Sequence, residues 1–389
     1  MEKAGKNRSD YKKVNRGLAL KMVAIGQCTT RSDLVRYTGL SKMAISNIVS
    51  AMLAQDYLIE TGVSPSEELG RRPTGLAISP KAPKTAGLVV HRNRVDAVLC
   101  DLNLTALKRE SLPIPEDVDK EKLMALVFQA LDTVMEGTDN IVAIGLSSIG
   151  PISIAEGKIL KPFYFYNIEN VNIVAQVKER YGLPVFFDHD NQSAVLAESL
   201  YGNARNHSDV LFVGIGQGVG CGILADNKLY CNSRGLPPEL GHVSIDVNGR
   251  VCACGNRGCV ETYIRSPELV RRMQYHTRRP LSLEEFGQME DDEMVNSVFN
   301  DAVNRLATAI VSIVNMLNSE LILLGNDAIY WPDRHIAALE ALINERRFVE
   351  WSQPIQVRRS FFMQDAALMG AACNAISHIF QGELIFEDP

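Results

Sequence analysis

Apolar positions near the start of the chain recur at helical spacing in three short segments, and polar stretches separate these segments. Such spacing predicts three amphipathic helices. Gly26 follows the first segment and ends that helix. Thr30 begins the second helix, because an N-cap hydroxyl is followed there three residues later by an acid, and Ser41 caps the third. Gly39 can take the left-handed conformation that the tight turn between the second and third helices requires.

Two short apolar segments follow, around 58–60 and 76–78, and each predicts a strand. The polar loop that joins them carries a Gly-Arg-Arg-Pro sequence at 70–73. Three helices followed by a hairpin with a basic loop are typical of a winged helix-turn-helix. The pattern therefore predicts such a domain over residues 1–80.

After this domain, residues 81–85 are rich in Pro and Lys and predict a linker. Apolar runs beyond it alternate with helical patterns, which predicts an α/β body with two lobes. We expect a first lobe over 86–195 and a second over 196–389, with the C-terminal helix free to pack back on the first lobe. The predicted strands are 86–90, 95–100, 141–146, 184–188, 209–215 and 320–324. The predicted helices are 119–136, 171–181, 190–201 and 297–317.

The net charge of −6 is unevenly distributed along the chain. Residues 1–80 carry 12 Lys and Arg against 7 Asp and Glu, whereas the remainder carries 28 against 39. A basic head on an acidic body favours a polyanionic partner for the head, although chance variation on a soluble surface would give the same numbers. The polar N-terminus and the lack of a long apolar run predict a cytoplasmic protein with no membrane insertion.

The third helix would be the element that enters the DNA major groove. Asn47 could bind adenine in a bidentate manner, and Lys42 is equally suited to a phosphate. Arg71 and Arg72 form a cationic loop tip suited to an A·T-rich minor groove, although a solvated loop on a protein-interaction module remains the alternative. The residues predicted to contact DNA are Arg31, Ser41, Lys42, Met43, Ser46, Asn47, Arg71 and Arg72.

Three cysteines lie within eight residues, at Cys252, Cys254 and Cys259, and His242 lies ten residues before the first. Three thiols and an imidazole are a complete tetrahedral ligand set for zinc. Four protein ligands leave no open position, so we expect one structural Zn²⁺ per chain and no Lewis-acid chemistry. A set of reduced, free cysteines is the alternative interpretation.

With these motifs the chain resembles the ROK family of bacterial sugar kinases and sugar-responsive repressors. The resemblance rests on Gly241-His242, on the C-x-C-G-x-x-G-C-x-E run at 252–261, and on His189-Asp190 at the start of an Ala-rich helix. It implies an actin/hexokinase-like body of two α/β lobes with a sugar cleft between them. The head and its Gly-Arg-Arg-Pro loop resemble only the repressor branch, which regulates xylose, glucose and N-acetylglucosamine genes.

The resemblance also implies roles for individual residues. Zinc would be held by His242, Cys252, Cys254 and Cys259. Sugar hydroxyls would be bound by Asp190, Glu239, His242 and Glu261, with Gly150 and Pro151 lining the cleft. Carboxylates suit this task because each can accept hydrogen bonds from neighbouring hydroxyls.

Kinases of this family need an Asp-x-Gly-Gly-Thr phosphate turn near the first strand of the body. Here the acid is Val89, the two glycines are His91 and Arg92, and the hydroxyl residue is Asn93. Because phosphoryl transfer depends on positioning and charge neutralisation, these replacements predict that the chain is not an enzyme. A second glycine-rich turn is kept at 214–222, but tight strand connections explain spaced glycines nearly as well.

These inferences favour a sugar-responsive repressor of carbohydrate-utilisation genes that binds operator DNA as a homodimer or a dimer of dimers. Helix 297–317 in the second lobe is one possible dimerisation surface, and an ordinary core helix is the alternative. Two other functions stay open. One is a bifunctional sugar kinase with a DNA-binding head. The other is a regulator that is controlled by a transporter protein.

Overall fold

The computed structural model describes residues 8–63, 74–231, 236–348 and 353–385. Within these ranges the N-terminal head has three helices and a two-stranded antiparallel sheet. Its elements are α1 (Arg8–Ala24), α2 (Arg31–Thr38), α3 (Lys42–Ala54), β1 (Leu58–Val63) and β2 (Thr74–Ile78). The predicted order of three helices and a hairpin is confirmed. Residues 70–73 of the predicted loop lie outside the described residues.

Side-chain hydroxyl groups cap the N-termini of the second and third helices of the head. The Oγ1 of Thr30 accepts a hydrogen bond of 3.1 Å from the Asp33 amide, and the Oγ of Ser41 accepts one of 3.2 Å from the Ala44 amide. Gly39 follows α2 with a φ of 70°, a backbone conformation that favours glycine. Both predicted caps and the predicted turn glycine are therefore confirmed.

The first lobe is built on a five-stranded sheet of order β5-β4-β3-β6-β9. Strands β3, β4 and β5 are antiparallel neighbours, whereas β6 and β9 extend the sheet in parallel. Its elements are β3 (Lys84–Val90), β4 (Arg94–Cys100), β5 (Ala106–Pro113), α4 (Lys120–Met135), β6 (Ile141–Ser148), β7 (Ile152–Ser153), β8 (Lys158–Ile159), α5 (Ile173–Tyr181) and β9 (Val185–His189).

The second lobe repeats this topology. Its sheet has the order β12-β11-β10-β13-β14, again with one antiparallel half and one parallel half. Helix α6 (Asp190–Tyr201) connects the lobes. The later elements are β10 (Val210–Ile215), β11 (Val219–Ala225), β12 (Lys228–Leu229), α7 (Glu261–Ile264), α8 (Ser266–Thr277), α9 (Leu283–Gly287), α10 (Glu293–Leu317), β13 (Leu321–Asn326), α11 (Asp333–Arg346), β14 (Gln356–Arg359) and α12 (Ala366–Phe380).

Helix α12 belongs to the core of the first lobe and of the head at once. It packs against α6 and against the face of the β3-β6 sheet, and its end packs against α1. One continuous cluster of buried apolar side chains contains residues of α1, α3, β4 and α12. The head is therefore joined to the body by shared core and not only by a linker.

The strands and helices predicted in the body are confirmed, with ends that differ by a few residues. The predicted linker is too long, because strand β3 begins at Lys84 and pairs there with β6. The boundary predicted at residue 195 falls inside α6, which is continuous through that position. Helix α10 buries its apolar face in the second lobe, as Phe299 and Leu306 illustrate, so the ordinary core role of this helix is confirmed.

No helix in the described part of the chain combines the length and the apolar character that crossing a bilayer requires.

Candidate ligand cleft, metal centre and nucleic-acid interface

A cleft of about 810 Å³ lies between the lobes. The two antiparallel hairpins supply opposing walls, because the β3–β4 turn at 91–93 and the β10–β11 turn at 216–218 both line it. All six residues predicted to bind a sugar line this one cleft. They are Gly150, Pro151, Asp190, Glu239, His242 and Glu261.

Asp190 begins helix α6, where a carboxylate is favoured by the helix dipole. Its Oδ1 accepts hydrogen bonds of 2.6 Å from both the backbone and the side-chain nitrogen of Asn191. The Nδ1 of the buried His189 lies 3.0 Å from the same oxygen. These contacts hold Oδ1, whereas Oδ2 accepts no hydrogen bond from the described residues.

The other two carboxylates reach the cleft from the second lobe. Oε2 of Glu261 accepts a hydrogen bond of 3.0 Å from the amide of Val219. Burial in the cleft raises the pKa of Glu239, and the nearby carboxylates of Asp190 and Glu261 raise it further. His189 and His242 act in the opposite direction. The site thus brings three carboxylates together, an arrangement that suits several hydroxyl donors.

Gly150 leaves room for the side chains of His189, from the first lobe, and Glu239, from the second. A Cβ at this position would lie 2.9 Å from Nε2 of His189 and 3.3 Å from Oε1 of Glu239. The following peptide bond to Pro151 is cis. A larger residue at 150 would therefore force both side chains out of their positions.

The β3–β4 turn carries an ionic cluster on the other side of the cleft. Nε2 of His91 and Nε of Arg94 lie 3.1 and 2.7 Å from Oδ2 of Asp96, and Oγ of Ser111 donates to Oδ1 at 2.6 Å. Burial alone would raise the pKa of Asp96, but the hydrogen bonds from His91, Ser111 and Arg94 outweigh it and lower the pKa to about 2. This carboxylate is committed to side chains of its own lobe.

The cysteine cluster has the spacing of a tetrahedral metal site. One ligand atom from each of His242, Cys252, Cys254 and Cys259 lies within 4.8 Å of the others. Two of these pairs are Cys254 Sγ to Cys259 Sγ at 3.7 Å and Cys252 Sγ to His242 Nδ1 at 3.6 Å. A tetrahedral Zn²⁺ with ordinary Zn–S and Zn–N bonds separates its ligands by about 3.5–3.8 Å. These two distances match those between ligands of one tetrahedral ion, so the four residues can converge on a single metal.

Two glycines let the chain return to this cluster. Gly255 and Gly258 have φ values of 91° and 69°, and a Cβ on Gly258 would lie only 1.8 Å from the carbonyl oxygen of Asp246. His242 links the cluster to the cleft. Its Nδ1 faces Cys252, and its ring lies edge-to-face with Phe163 on the cleft wall at a centroid distance of 6.1 Å.

In the head, one face of α3 is polar and exposed. Ile45, Val49 and Met52 are buried on the opposite face. The exposed face is formed by Ser41, Lys42, Met43, Ser46 and Asn47. Five of the eight residues predicted to contact DNA therefore share one accessible surface.

The remaining three differ from that group. Arg31 is half-buried, and its Nη1 lies 2.7 Å from Oε1 of Glu60 on β1, so its charge is already paired within the head. Arg71 and Arg72 lie outside the described residues. Sequence reasoning missed the Arg31–Glu60 pair because the two residues are 29 positions apart.

Sequence reasoning also gave Arg92 no role beyond the loss of a glycine. In the structure its side chain lines the cleft, and its Nε donates a hydrogen bond of 3.1 Å to the carbonyl oxygen of Phe163. The available signal was a bulky cation at a position where the resembling kinases have glycine.

Comparison with known proteins gave matches over nearly the whole chain. The model of the ROK family matches residues 85–377. The "Xylose repressor" of Bacillus subtilis (strain 168) is 26% identical over 373 residues, which cover 94% of this chain and 96% of the relative. The "DNA-binding transcriptional repressor Mlc" of Escherichia coli (strain K12) is 23% identical, with coverage of 93% and 92%.

Two solved structures show the same fold. A ROK family transcriptional regulator that is a homologue of the E. coli Mlc protein superimposes with a TM-score of 0.81 at 23% identity, covering 96% of this chain and 98% of its own. A ROK hexokinase from Thermus thermophilus gives 0.63 at 26% identity and covers 97% of its own chain, but 75% of this one. The similarity to the hexokinase leaves a quarter of this chain unmatched.

Proposed function

Because the chain belongs to the ROK family, we propose that it is a sugar-responsive, DNA-binding transcriptional repressor of carbohydrate-utilisation genes. The observation that carries the proposal is that one chain has both an exposed polar face on α3 and a cleft lined with carboxylates. The named repressors align over more than nine-tenths of this chain, so their similarity includes the head.

Operator DNA is the proposed partner of the head. Lys42, Ser46 and Asn47 would contact phosphates and base edges, and Arg71 and Arg72 would enter the neighbouring minor groove. Since one head spans one half-site, specific binding would require two heads related by a two-fold axis. We therefore propose a homodimer or a dimer of dimers as the DNA-binding form.

The body would bind the effector. Asp190, Glu239 and Glu261 would accept hydrogen bonds from sugar hydroxyls, and Nε2 of His242 would contact the same ligand. Gly150 and Pro151 would form the wall of the first lobe. The metal centre would hold Zn²⁺ through His242, Cys252, Cys254 and Cys259, where the ion would fix the loop that carries the His242 ring.

Loss of catalysis is part of the proposal. The turn that would bind phosphate in a kinase of this fold has Arg92 and an ion pair between Arg94 and Asp96 in its place. The alternative, a bifunctional sugar kinase, is favoured by the fold shared with the ROK hexokinase. A coupled assay for ADP release with a panel of hexoses and xylose distinguishes them, because turnover above the no-sugar background would establish the kinase.

Coupling between the sites would pass through α6 and α12. Asp190 begins α6, a Cβ on Gly370 of α12 would lie 2.3 Å from the backbone of Ser193 in α6, and α12 packs against α1 of the head. A sugar that closed the lobes would move these helices together. Effector coupling of this kind typically changes affinity by about 5–150-fold.

The test begins with operator sequences selected from a random duplex library by the purified full-length protein. Fluorescence anisotropy then measures operator affinity with and without each sugar. We expect specific binding that one sugar changes, a loss of this response in Glu239→Ala with repressing affinity intact, and weaker binding in Arg71→Ala/Arg72→Ala with sugar binding intact. Failure to enrich any sequence would refute the proposed function.

A further inference from the structure

The cleft contains a guanidinium with unused donors. Nε of Arg92 is bound to the carbonyl oxygen of Phe163, which fixes the plane of the group. Across the described ranges, Nη1 and Nη2 have neither a hydrogen-bond acceptor nor a carboxylate within 4.0 Å. A half-buried cation without direct pairing is costly unless a ligand satisfies it.

The two free amino groups face the opposite lobe. A Cβ on Gly218, at the tip of the β10–β11 hairpin, would lie 3.4 Å from Nη2 and 3.6 Å from Nη1 of Arg92. The same Cβ would lie 2.9 Å from Oε2 of Glu261. Arg92 therefore lies beside the carboxylates of the cleft, on the side where a kinase of this fold would bind phosphate.

The other two cations beside the turn already have a carboxylate partner. Arg94 and His91 both contact Asp96, which lies in their own lobe. Arg265 is a second positive charge near Arg92, and its guanidinium lies over the ring of Tyr164 at 5.0 Å. Of the three basic residues at positions 91, 92 and 94, Arg92 alone has no carboxylate within 4.0 Å among the described residues.

The geometry of a guanidinium selects its partner. Its parallel N–H groups match the two oxygens of a carboxylate or a phosphate, and such charge-assisted pairs are about twice as strong as neutral hydrogen bonds. The carboxylates of Glu261, Asp190 and Glu239 stabilise the charge of Arg92 without direct contact. A hydroxyl group would use only one of the two free amino groups. The fixed fork of Arg92 therefore favours an anionic group on the ligand.

We propose that the effector is an acidic sugar, in which a carboxylate or phosphate on the exocyclic carbon is bound by Nη1 and Nη2 of Arg92. This inference rests on the proposed function, since it assigns the chemical class of the ligand in that cleft. Asp190, Glu239 and Glu261 bind the ring hydroxyls, and Arg92 binds the acid.

Titration calorimetry with matched sugars tests the proposal on the full-length protein. Glucose, galactose and N-acetylglucosamine are each compared with the corresponding 6-phosphate, glucose and galactose also with the uronate, and xylose is a neutral reference. We expect at least one acid to bind about 10-fold or more tightly than the neutral sugar of the same ring. The uronate and phosphate series identify which anion is bound.

Variants locate the effect. Arg92→Gln should lose about 10–100-fold in affinity for the acidic sugar and change the neutral sugar less than about threefold, because a charged hydrogen bond is lost. Arg92→Lys should recover part of the loss, since it restores a charge without the fork. Arg94→Gln is the matched control from the same turn and should keep the preference for the acid.

The inference would be overturned by a neutral sugar that binds as tightly as both of its acids, or by an Arg92→Gln variant that weakens both classes equally. A neutral sugar that alters operator affinity while its acids do not would refute this inference and leave the repressor function intact. If no sugar of either class binds, the proposed function fails with it. The comparisons on the wild-type protein decide the question even if Arg92→Gln does not fold.

Discussion

Gly17 of α1 lies directly against the carbonyl oxygen of Phe380 in α12, so close that a Cβ on Gly17 would be 2.2 Å from that oxygen. A backbone oxygen cannot move aside as a flexible side chain can. The first helix of the head and the last helix of the body are therefore in backbone contact, and movement of one must displace the other.

Gly17→Ala should push the head away from the body. We expect the free energy of unfolding to fall by about 1–3 kcal/mol, as overpacking does in well-packed interiors. The change in operator affinity on addition of sugar should shrink, while the sugar affinity stays within about twofold of the wild type. Denaturant titration, anisotropy and calorimetry measure the three quantities.

Gly62→Ala is the control for this experiment, because a Cβ at that position in the same head meets nothing within 4 Å. An undiminished sugar response in Gly17→Ala would contradict transmission through this contact.

The exposed face of α3 separates base recognition from phosphate binding. Asn47→Ala should weaken specific binding by about 1–3 kcal/mol and leave binding to random duplex unchanged. Lys42→Ala should weaken both and lower the slope of log K against log salt by about 1. Anisotropy at several salt concentrations measures these changes.

Lys120→Ala, at an exposed position at the start of α4, is the control for charge removal. If Asn47→Ala weakened specific and random duplex equally, base contact by this residue would be refuted.

Cys254→Ser should remove the metal and lower stability together, because a structural ion contributes its binding free energy to folding. Elemental analysis should find about one zinc per wild-type chain and far less in the variant, with a lower Tm. Cys231→Ser is the control, since Cys231 is an exposed cysteine outside the cluster. A wild-type protein purified without metal and unchanged in Tm by a chelator would contradict a structural ion.

The buried carboxyl group of Asp188 should make the free energy of unfolding depend on pH. Burial raises the pKa of Asp188 to about 6, although the His189 amide and ring oppose the shift. The folded state therefore holds this proton more tightly than the unfolded state does, and stability falls as pH rises from about 4 through about 6.

Asp188→Asn removes this titration and keeps an acceptor for the His189 amide. Between pH 5 and pH 7.5 the wild type should lose about 1 kcal/mol more stability than the variant. Denaturant unfolding at both pH values measures the difference, and the exposed Asp139→Asn is the control. Parallel pH profiles for wild type and Asp188→Asn would contradict the proposed origin of the slope.

Local features of the fold could be predicted from the sequence because their causes are local. Thr30 and Ser41 cap helices through bonds three residues away, and the strands of the parallel half are continuous apolar runs. Strand β5 was missed because most of its residues are exposed, so it lacks such a run. The sequence permitted helix α12 to pack on the first lobe but did not predict that it would. Hydrophobicity alone does not specify the packing partner of a helix.

Parts of the candidate site could likewise be predicted from the sequence, and other parts could not. The metal site of the Cys-rich loop could be predicted, because its three cysteines lie close together in sequence. The fourth ligand, His242, is only a short way before them. The meeting of Asp190 with Glu239 and Glu261 was implied only by family resemblance, since the two lobes bring them together. The position of Arg92 depends on the carbonyl of Phe163, 71 residues away, and no local pattern indicates it.

The shared core of α1 and α12 has a consequence for how the protein is made. The ribosome produces the head before the two lobes and α12 after them, so the head waits through the synthesis of the body for its packing partner. Domains generally fold as units during synthesis, but this head completes its interior only after α12 has emerged. A product terminated before α12 would therefore carry a head that lacks part of its core, and a regulator able to respond is assembled only once α12 has been made.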